Sequence, residues 1–342
     1  MSRLLSTVSA ITFIAGTYAS ADIPKVVADI APIHSLVSRV MDGVGEPKLI
    51  VPNETSPHDY RLRPADAEAI EDANLVFWMG EGLTPWMERA LEALSNDTDI
   101  IEFLALEEST LLSFREGALF EAHDHSDHDD HDDHDDHVKD HDDHDDHDDH
   151  DKDHDDHDDH DDHDDHAGHD HGEYDPHAWL STNNAKTWLN VIAARLSSID
   201  PDNAGAYFAN ASEARGEMDA LDVEINTMLD PVRGGKFVVF HDAYQYFETV
   251  YDFPASGAIS LGDASDPSAA RVAEIANRIK SENIACVLSE PQFNAGLVKT
   301  VMGGTNATTE VIDPLGFGIE PGSSLYPKLI RAMAQSLVNC LK

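Results

Sequence analysis

The chain predicts an α/β protein of two lobes joined by a single long helix, and three observations carry that reading. Short apolar, β-branched runs alternate with amphipathic helical stretches, the grammar of a parallel sheet. The alternation occurs twice, with four runs before the middle of the chain and four after it. Between the two sets lies a stretch whose apolar residues recur at three- and four-residue steps for longer than one lobe requires.

In chain order, the first strands are expected at 23–30, 48–51, 75–79 and 100–104. Ile33, Leu36, Val37, Val40 and Met41 mark the first helix, 64–73 the second, and Thr84-Pro85 opens a third with Met87, Leu91 and Leu94 on one face. A helix with Trp188, Leu189, Ile192 and Leu196 follows later. Asp200-Pro201 then supplies a helix start, and Ala204, Tyr207, Phe208, Ala211, Met218, Leu221, Ile225 and Met228 extend it until Pro231. At 1.5 Å per residue this linking helix would span roughly 43 Å. The second strands are expected at 237–240, 255–259, 284–288 and 310–312, interleaved with helices at 266–279, 294–302 and 326–341. The boundaries are therefore 1–21 for a signal peptide, 22–200 for the N-terminal lobe, 201–230 for the linking helix and 231–342 for the C-terminal lobe.

The signal peptide rests on Arg3, the largely apolar 4–18 run and Ala19-Ser20-Ala21, a small-x-small pattern that places the mature start at Asp22. Too short and polar to span a membrane comfortably, the run reads as cleaved, and no cysteine follows it to take a lipid. Export sets the context for Cys286 and Cys340. In an oxidising compartment such a pair is most simply a disulfide, worth on the order of 4 kcal/mol by chain entropy; two buried thiols are the alternative.

Of the 342 residues, 67 are acidic and 22 basic, a net charge of -45 that excludes a face built for nucleic acid or an anionic membrane. The natural partner is a cation. The window 123–171 holds 17 of the 21 histidines, 26 aspartates and two lysines, mostly as His-Asp-Asp repeated with period three. Almost without apolar residues, it is expected to be a loop inserted in the first lobe and disordered without metal. Its imidazoles would hold zinc, copper or nickel with modest affinity; the bland alternative is a solvated acidic spacer.

Outside the window only His34, His58, His177 and His241 remain. In open α/β sheets ligands bind beyond the carboxyl ends of strands. His58 follows the second strand, His177 lies in Asp175-Pro176-His177, and His241 ends the fifth strand. Asp313, ending the last strand before Pro314, adds a carboxylate. Three imidazoles and a carboxylate make a tetrahedral set suited to Zn²⁺, two from each lobe, with the ion in the cleft. His34 sits among apolar helix positions, so packing is its expected role. Asp313 could instead be a turn residue, and Glu290 is the alternative carboxylate or a partner of Arg63. Asp59 and Asp242 could orient imidazoles or be solvated loop charge.

The chain resembles the zinc-specific solute-binding proteins of bacterial ABC importers, the ZnuA family. The resemblance is carried by Val26-Val27-Ala28-Asp29-Ile30 with Pro32-Ile33-His34-Ser35-Leu36, and by Pro57-His58-Asp59-Tyr60 with Leu62-Arg63-Pro64. It continues in Asp175-Pro176-His177, Phe240-His241-Asp242-Ala243-Tyr244, Glu290-Pro291-Gln292-Phe293 and Asp313-Pro314-Leu315-Gly316. It implies two (β/α)₄ lobes on one rigid linking helix, metal bound between them by His58, His177 and His241, and delivery to an ABC transporter permease in the inner membrane. It also implies the Cys286–Cys340 disulfide and a periplasmic location. Some members carry Glu directly before the first ligand; Pro57 stands there in this chain, leaving the fourth position to Asp313 or water. Manganese-binding relatives carry Glu where this chain has His241, and a third imidazole favours zinc over oxygen-preferring Mn²⁺.

The expected function is therefore capture of Zn²⁺ in the cleft by a monomer that is not an enzyme, with the His/Asp loop as low-affinity collector or sensor. The rivals are a secreted zinc hydrolase using the three-histidine site, for which no motif supplies a base, a manganese-binding relative, and a storage protein in which only the loop matters.

Overall fold

The structure is a computed structural model that describes residues 23–95, 98–115, 120, 174–260, 262, 267–292 and 295–342. The segment expected to be a signal peptide and the His/Asp window lie outside the described residues. In the first half, strands β1 (Val26–Ala28), β2 (Lys48–Leu49), β3 (Leu75–Trp78) and β4 (Asp99–Glu102) form one parallel sheet in the order β2-β1-β3-β4. Helices α1 (Ala31–Val40), α2 (Pro64–Glu71) and α3 (Pro85–Leu94) connect them. Each opens with proline in its first turn, where the missing N–H would have no helical partner anyway. At the start of α2 the Asp66 carboxylate reaches back to accept both the backbone N–H and the guanidinium of Arg63. At the end of β1 the fully buried Asp29 accepts the N–H groups of Ile30 (2.7 Å) and Met79 (2.8 Å), lacing β1 to the end of β3. Burial pushes its carboxyl up to about 7, against the pull of those N–H groups.

Where the chain resumes, Tyr174 makes an isolated antiparallel bridge to Ser113, so both ends of the intervening segment leave one place. Helix α4 (Thr182–Ile199) is capped by Ser181, whose hydroxyl accepts the Asn184 N–H. The linking helix α5 (Ala204–Leu229) follows a 3₁₀ turn at Pro201–Asn203 and buries Tyr207, Ala211, Ala214, Met218, Leu221, Ile225 and Leu229 along one stripe. Phe208, read as part of that stripe, is instead half exposed, because it lies one residue, about 100°, off the line through Tyr207 and Ala211.

The second half repeats the first. Strands β5 (Phe237–His241), β6 (Ala258–Ser260), β7 (Cys286–Ser289) and β8 (Thr308–Val311) form a parallel sheet in the order β6-β5-β7-β8. Its helices are α6 (Gln245–Tyr251), α7 (Ala269–Ser281), α8 (Ala295–Val301) and α9 (Leu325–Leu341). Helix α6 was not legible in sequence: the polar Gln245 and Glu248 are buried beside Tyr246, Phe247 and Tyr251, so residue type does not mark an apolar face. Cys286 and Cys340 form a disulfide that ties β7 to α9, with Cα atoms 5.5 Å apart.

Alternation along β5 divides the packing. Phe237 and Val239 join a core that runs from β1 through α4 and α5 to α9, while Val238 and Phe240 face a smaller cluster with Ile259, Ile275, Ile279 and Val287. The large core is thus shared by both lobes. Helix α5 packs on α1, α4 and α9, and Arg39–Glu217 and Arg331–Glu224 pairs fasten it to α1 and α9. No helix of the described residues is long and apolar enough to cross a membrane.

Candidate metal centre

His241 ends β5, and Glu290 follows the neighbouring strand β7 by one residue. That adjacency brings the Glu290 Oε1 to 2.6 Å from His241 Nδ1, both side chains buried. A second pair forms in the Asp175-Pro176-His177 turn, where Asp175 Oδ1 accepts both the His177 backbone N–H (2.9 Å) and its Nδ1–H (2.6 Å). Carboxylates accept, so each Nδ1 is the donor, and in the neutral ring each Nε2 then carries a lone pair. The two Nε2 atoms lie 3.5 Å apart. Two lone pairs facing one another repel unless a cation lies between them. Two imidazoles on one tetrahedral zinc, at about 2.0–2.1 Å each, would have their nitrogens about 3.3–3.4 Å apart. The separation of the pair is therefore close to what two imidazoles on one such ion would have.

His177 belongs by sequence to the first lobe, but its orientation is set by the second. Gln245 of α6 donates to Asp175 Oδ2 (2.6 Å) and the Tyr246 hydroxyl to the Asp175 carbonyl (2.8 Å). The indole of Trp179 donates to the Pro314 carbonyl (2.8 Å) and covers the His177 ring at 5.2 Å. On the other side Tyr244 meets His241 edge-on at 6.1 Å; burial, with the charges of Glu290 and Asp313 nearby, pushes its phenol well above the ordinary value.

His58 comes from the loop after β2 and lines the same pocket as His177, His241, Glu290 and Gln292. Its ring centroid lies 6.3 Å from that of His177, against 5.3 Å between His177 and His241. The Trp86 indole holds this loop by donating to the Pro57 carbonyl (2.8 Å). Asp313 follows β8, accepts the Leu315 N–H (2.9 Å) and is not among the residues lining the pocket. Burial raises its carboxyl, backbone N–H groups of Leu315 and Phe317 and the nearby Gln292 amide pull it down, and Glu290 adds to the rise. Among the described residues no three His, Cys, Asp or Glu side chains form a ready-made metal cage. The arrangement is a preformed histidine pair with a third histidine on the same pocket.

The residues expected to orient the imidazoles are placed differently. Asp59 is exposed. Asp242 and Glu248 both pair with Arg115, whose guanidinium reaches from the segment before the His/Asp window. Burial raises both carboxyls and Arg115 pulls them back down; burial also opposes the Arg115 charge, but its two partners outweigh it. Arg63 pairs with Asp66, not with Glu290. His34 is buried on α1 with Nε2 3.0 Å from the Pro47 carbonyl, and burial lowers its pKa. Asp175, Gln245 and Arg115 were not singled out in sequence. The signals were weak: an Asp two residues before a histidine, and a lone arginine before an acidic run.

Residues 26–340 match the family described as the periplasmic zinc-uptake complex component A, ZnuA. The high-affinity zinc uptake system protein ZnuA of Brucella abortus (strain 2308) is 46% identical over 344 residues, covering 100% of this chain and 99% of the relative. Its counterpart in Paracoccus denitrificans (strain Pd 1222) is 44% identical over 324 residues, 94% of this chain and 93% of that protein. Among solved structures, a crystal structure of ZnuA superimposes with a TM-score of 0.69 at 22% identity, covering 94% of this chain and 100% of that one.

Proposed function

This chain belongs to the ZnuA family of periplasmic zinc-uptake components, and on that premise we propose that it captures Zn²⁺ at the pocket of His58, His177 and His241. The observation that carries the reading is the pair of Nε2 atoms 3.5 Å apart, each oriented by a carboxylate on its Nδ1. A carboxylate on the far nitrogen fixes the tautomer and strengthens the ligand. Three imidazoles suit zinc better than manganese, which prefers oxygen. The fourth position falls to Asp313 or to water.

The protein is a binding component rather than an enzyme in this reading. Glu290 and Asp175, the carboxylates beside the pair, are engaged with imidazole nitrogens, which supports holding an ion over activating a water. After export and cleavage before Asp22 it would work as a monomer in the periplasm, handing zinc to an ABC permease in the inner membrane. The His/Asp window would gather zinc weakly in the same compartment.

Competition with a chelator, on the whole mature chain and on one lacking 124–170, tests the assignment. One tight zinc should remain after the deletion while weaker ones disappear, and His241→Ala in the shortened chain should remove the tight one. A shortened chain without tight zinc would overturn the pocket.

A further inference from the structure

Gln292 lies two residues beyond Glu290 and lines the pocket with the three histidines. Its Nε2 and Oε1 are both buried without a hydrogen-bond partner among the described residues. A buried amide left unsatisfied is costly, so each such group in a native protein calls for a ligand or a solvent molecule that completes it. Asp313 stands close enough for the Gln292 amide to bear on its carboxyl, and it does not itself line the pocket. One carboxylate oxygen is already taken by the Leu315 N–H.

An amide has two ends of opposite polarity, a donor and an acceptor, and can join a carboxylate on one side to a hydroxylic ligand on the other. We infer that Gln292 is the positioning residue for the fourth ligand: zinc on His58, His177 and His241 keeps a water, whose proton the Gln292 Oε1 accepts, while Nε2 donates to Asp313. Asp313 then acts through Gln292 and does not touch the ion. A coordination sphere closed by water stays open to an incoming ligand, as suits an ion that must be released. The inference rests on the zinc reading of this pocket and specifies its fourth position.

The test uses the full mature chain, with zinc affinity from chelator competition and the visible spectrum of one equivalent of cobalt(II) at the tight site. Gln292→Met keeps the length of the side chain and removes both polar ends. It should weaken zinc roughly tenfold to a hundredfold, and Asp313→Ala added to it should cost little more, because the two residues act in series. Asp313→Ala alone should leave the cobalt spectrum that of an unchanged ligand set. Either of two results overturns the inference: an unchanged affinity in Gln292→Met, or an Asp313→Ala spectrum that reports a lost ligand with a loss that adds in full. Should Gln292→Met not fold, the Asp313→Ala spectrum decides alone. His241→Ala separates the two levels: retention of tight zinc there would mean that the pocket reading itself has failed.

Discussion

The two lobes share one scaffold and use it differently. Val26 pairs with Leu75 as Phe237 pairs with Cys286, and Leu75 with Asp99 as Cys286 with Thr308. Counting along matched strands, Ile30 stands where the second lobe has His241, Met79 where it has Glu290, and Leu104 where it has Asp313. The first lobe joins its two central strand ends through Asp29 and a backbone N–H; the second joins them through Glu290 and an imidazole. One latch is structural, and the other also orients the imidazole of His241, the proposed ligand. The first lobe contributes its histidines from loops, and His177 is held by α6 of the second. Two of the three histidines thus come from the first lobe, but the preformed pair is fastened by the second, through Glu290 on His241 and α6 on Asp175.

The largest expected effect lies at the seam between them. Arg115→Met should destabilise folding by about 3–5 kcal/mol, because it leaves Asp242 and Glu248 buried without their counter-charge. Chemical denaturation measures this, and Glu248→Gln in the same chain should restore part of it. Absence of recovery would mean that the arginine acts by packing.

Next come the ligands. His241→Ala and His177→Ala should weaken zinc by well over the roughly hundredfold that bounds outer-shell effects, and His58→Ala by less, since it stands outside the preformed pair. His34→Ala should leave affinity near that of the parent. A His58 loss equal to that of His241 would put the loop histidine on a par with the preformed pair.

Glu290→Met gives the second lobe the residue of the first. With the Nδ1 acceptor gone, zinc affinity should fall about tenfold to a hundredfold while His241 still ligates; a loss as large as that of His241→Ala would make Glu290 a ligand itself.

The smallest effect concerns the other latch. The Asp29 carboxyl has its pKa raised to about 7 in the folded state, so folding binds its proton more tightly than the unfolded chain does. That contribution is present at low pH and is lost as pH rises towards about 7. Asp29→Asn should therefore gain on the parent as pH rises, by at most about 1.4 kcal/mol per pH unit. Urea unfolding at about pH 5 and about pH 8 reads the difference, and parallel pH profiles would show that Asp29 does not titrate in this range.

Strands and most helices were legible because their apolar periodicity survives in sequence: the burial of Leu75 to Trp78 and the stripe on α5 are written in residue type. Helix α6 was not, since it buries the polar Gln245 and Glu248 along with its aromatic residues, so residue type does not mark its inner face. The three histidines were legible by their scarcity, but the groups that aim them were not. Asp242 is adjacent to His241 in sequence, yet successive side chains at a strand end point to opposite sides, and Asp59, in the loop with His58, is exposed. The carboxylate that reaches His241 comes from the next strand, and only pairing of β5 with β7 puts it there. Asp175 reaches His177 from two residues away, its Oδ1 accepting both the backbone and the ring N–H of His177.

The core common to both lobes sets how the molecule melts. Residues of β1, α5, β5 and α9 belong to one apolar cluster, so neither half can lose its packing while the other keeps it, and calorimetry should record one cooperative transition. Ion binding at the pocket then stabilises the whole chain, by about 2.7 kcal/mol at a free concentration one hundred times Kd. The midpoint of that single transition becomes a thermometer for cargo, read from the entire fold.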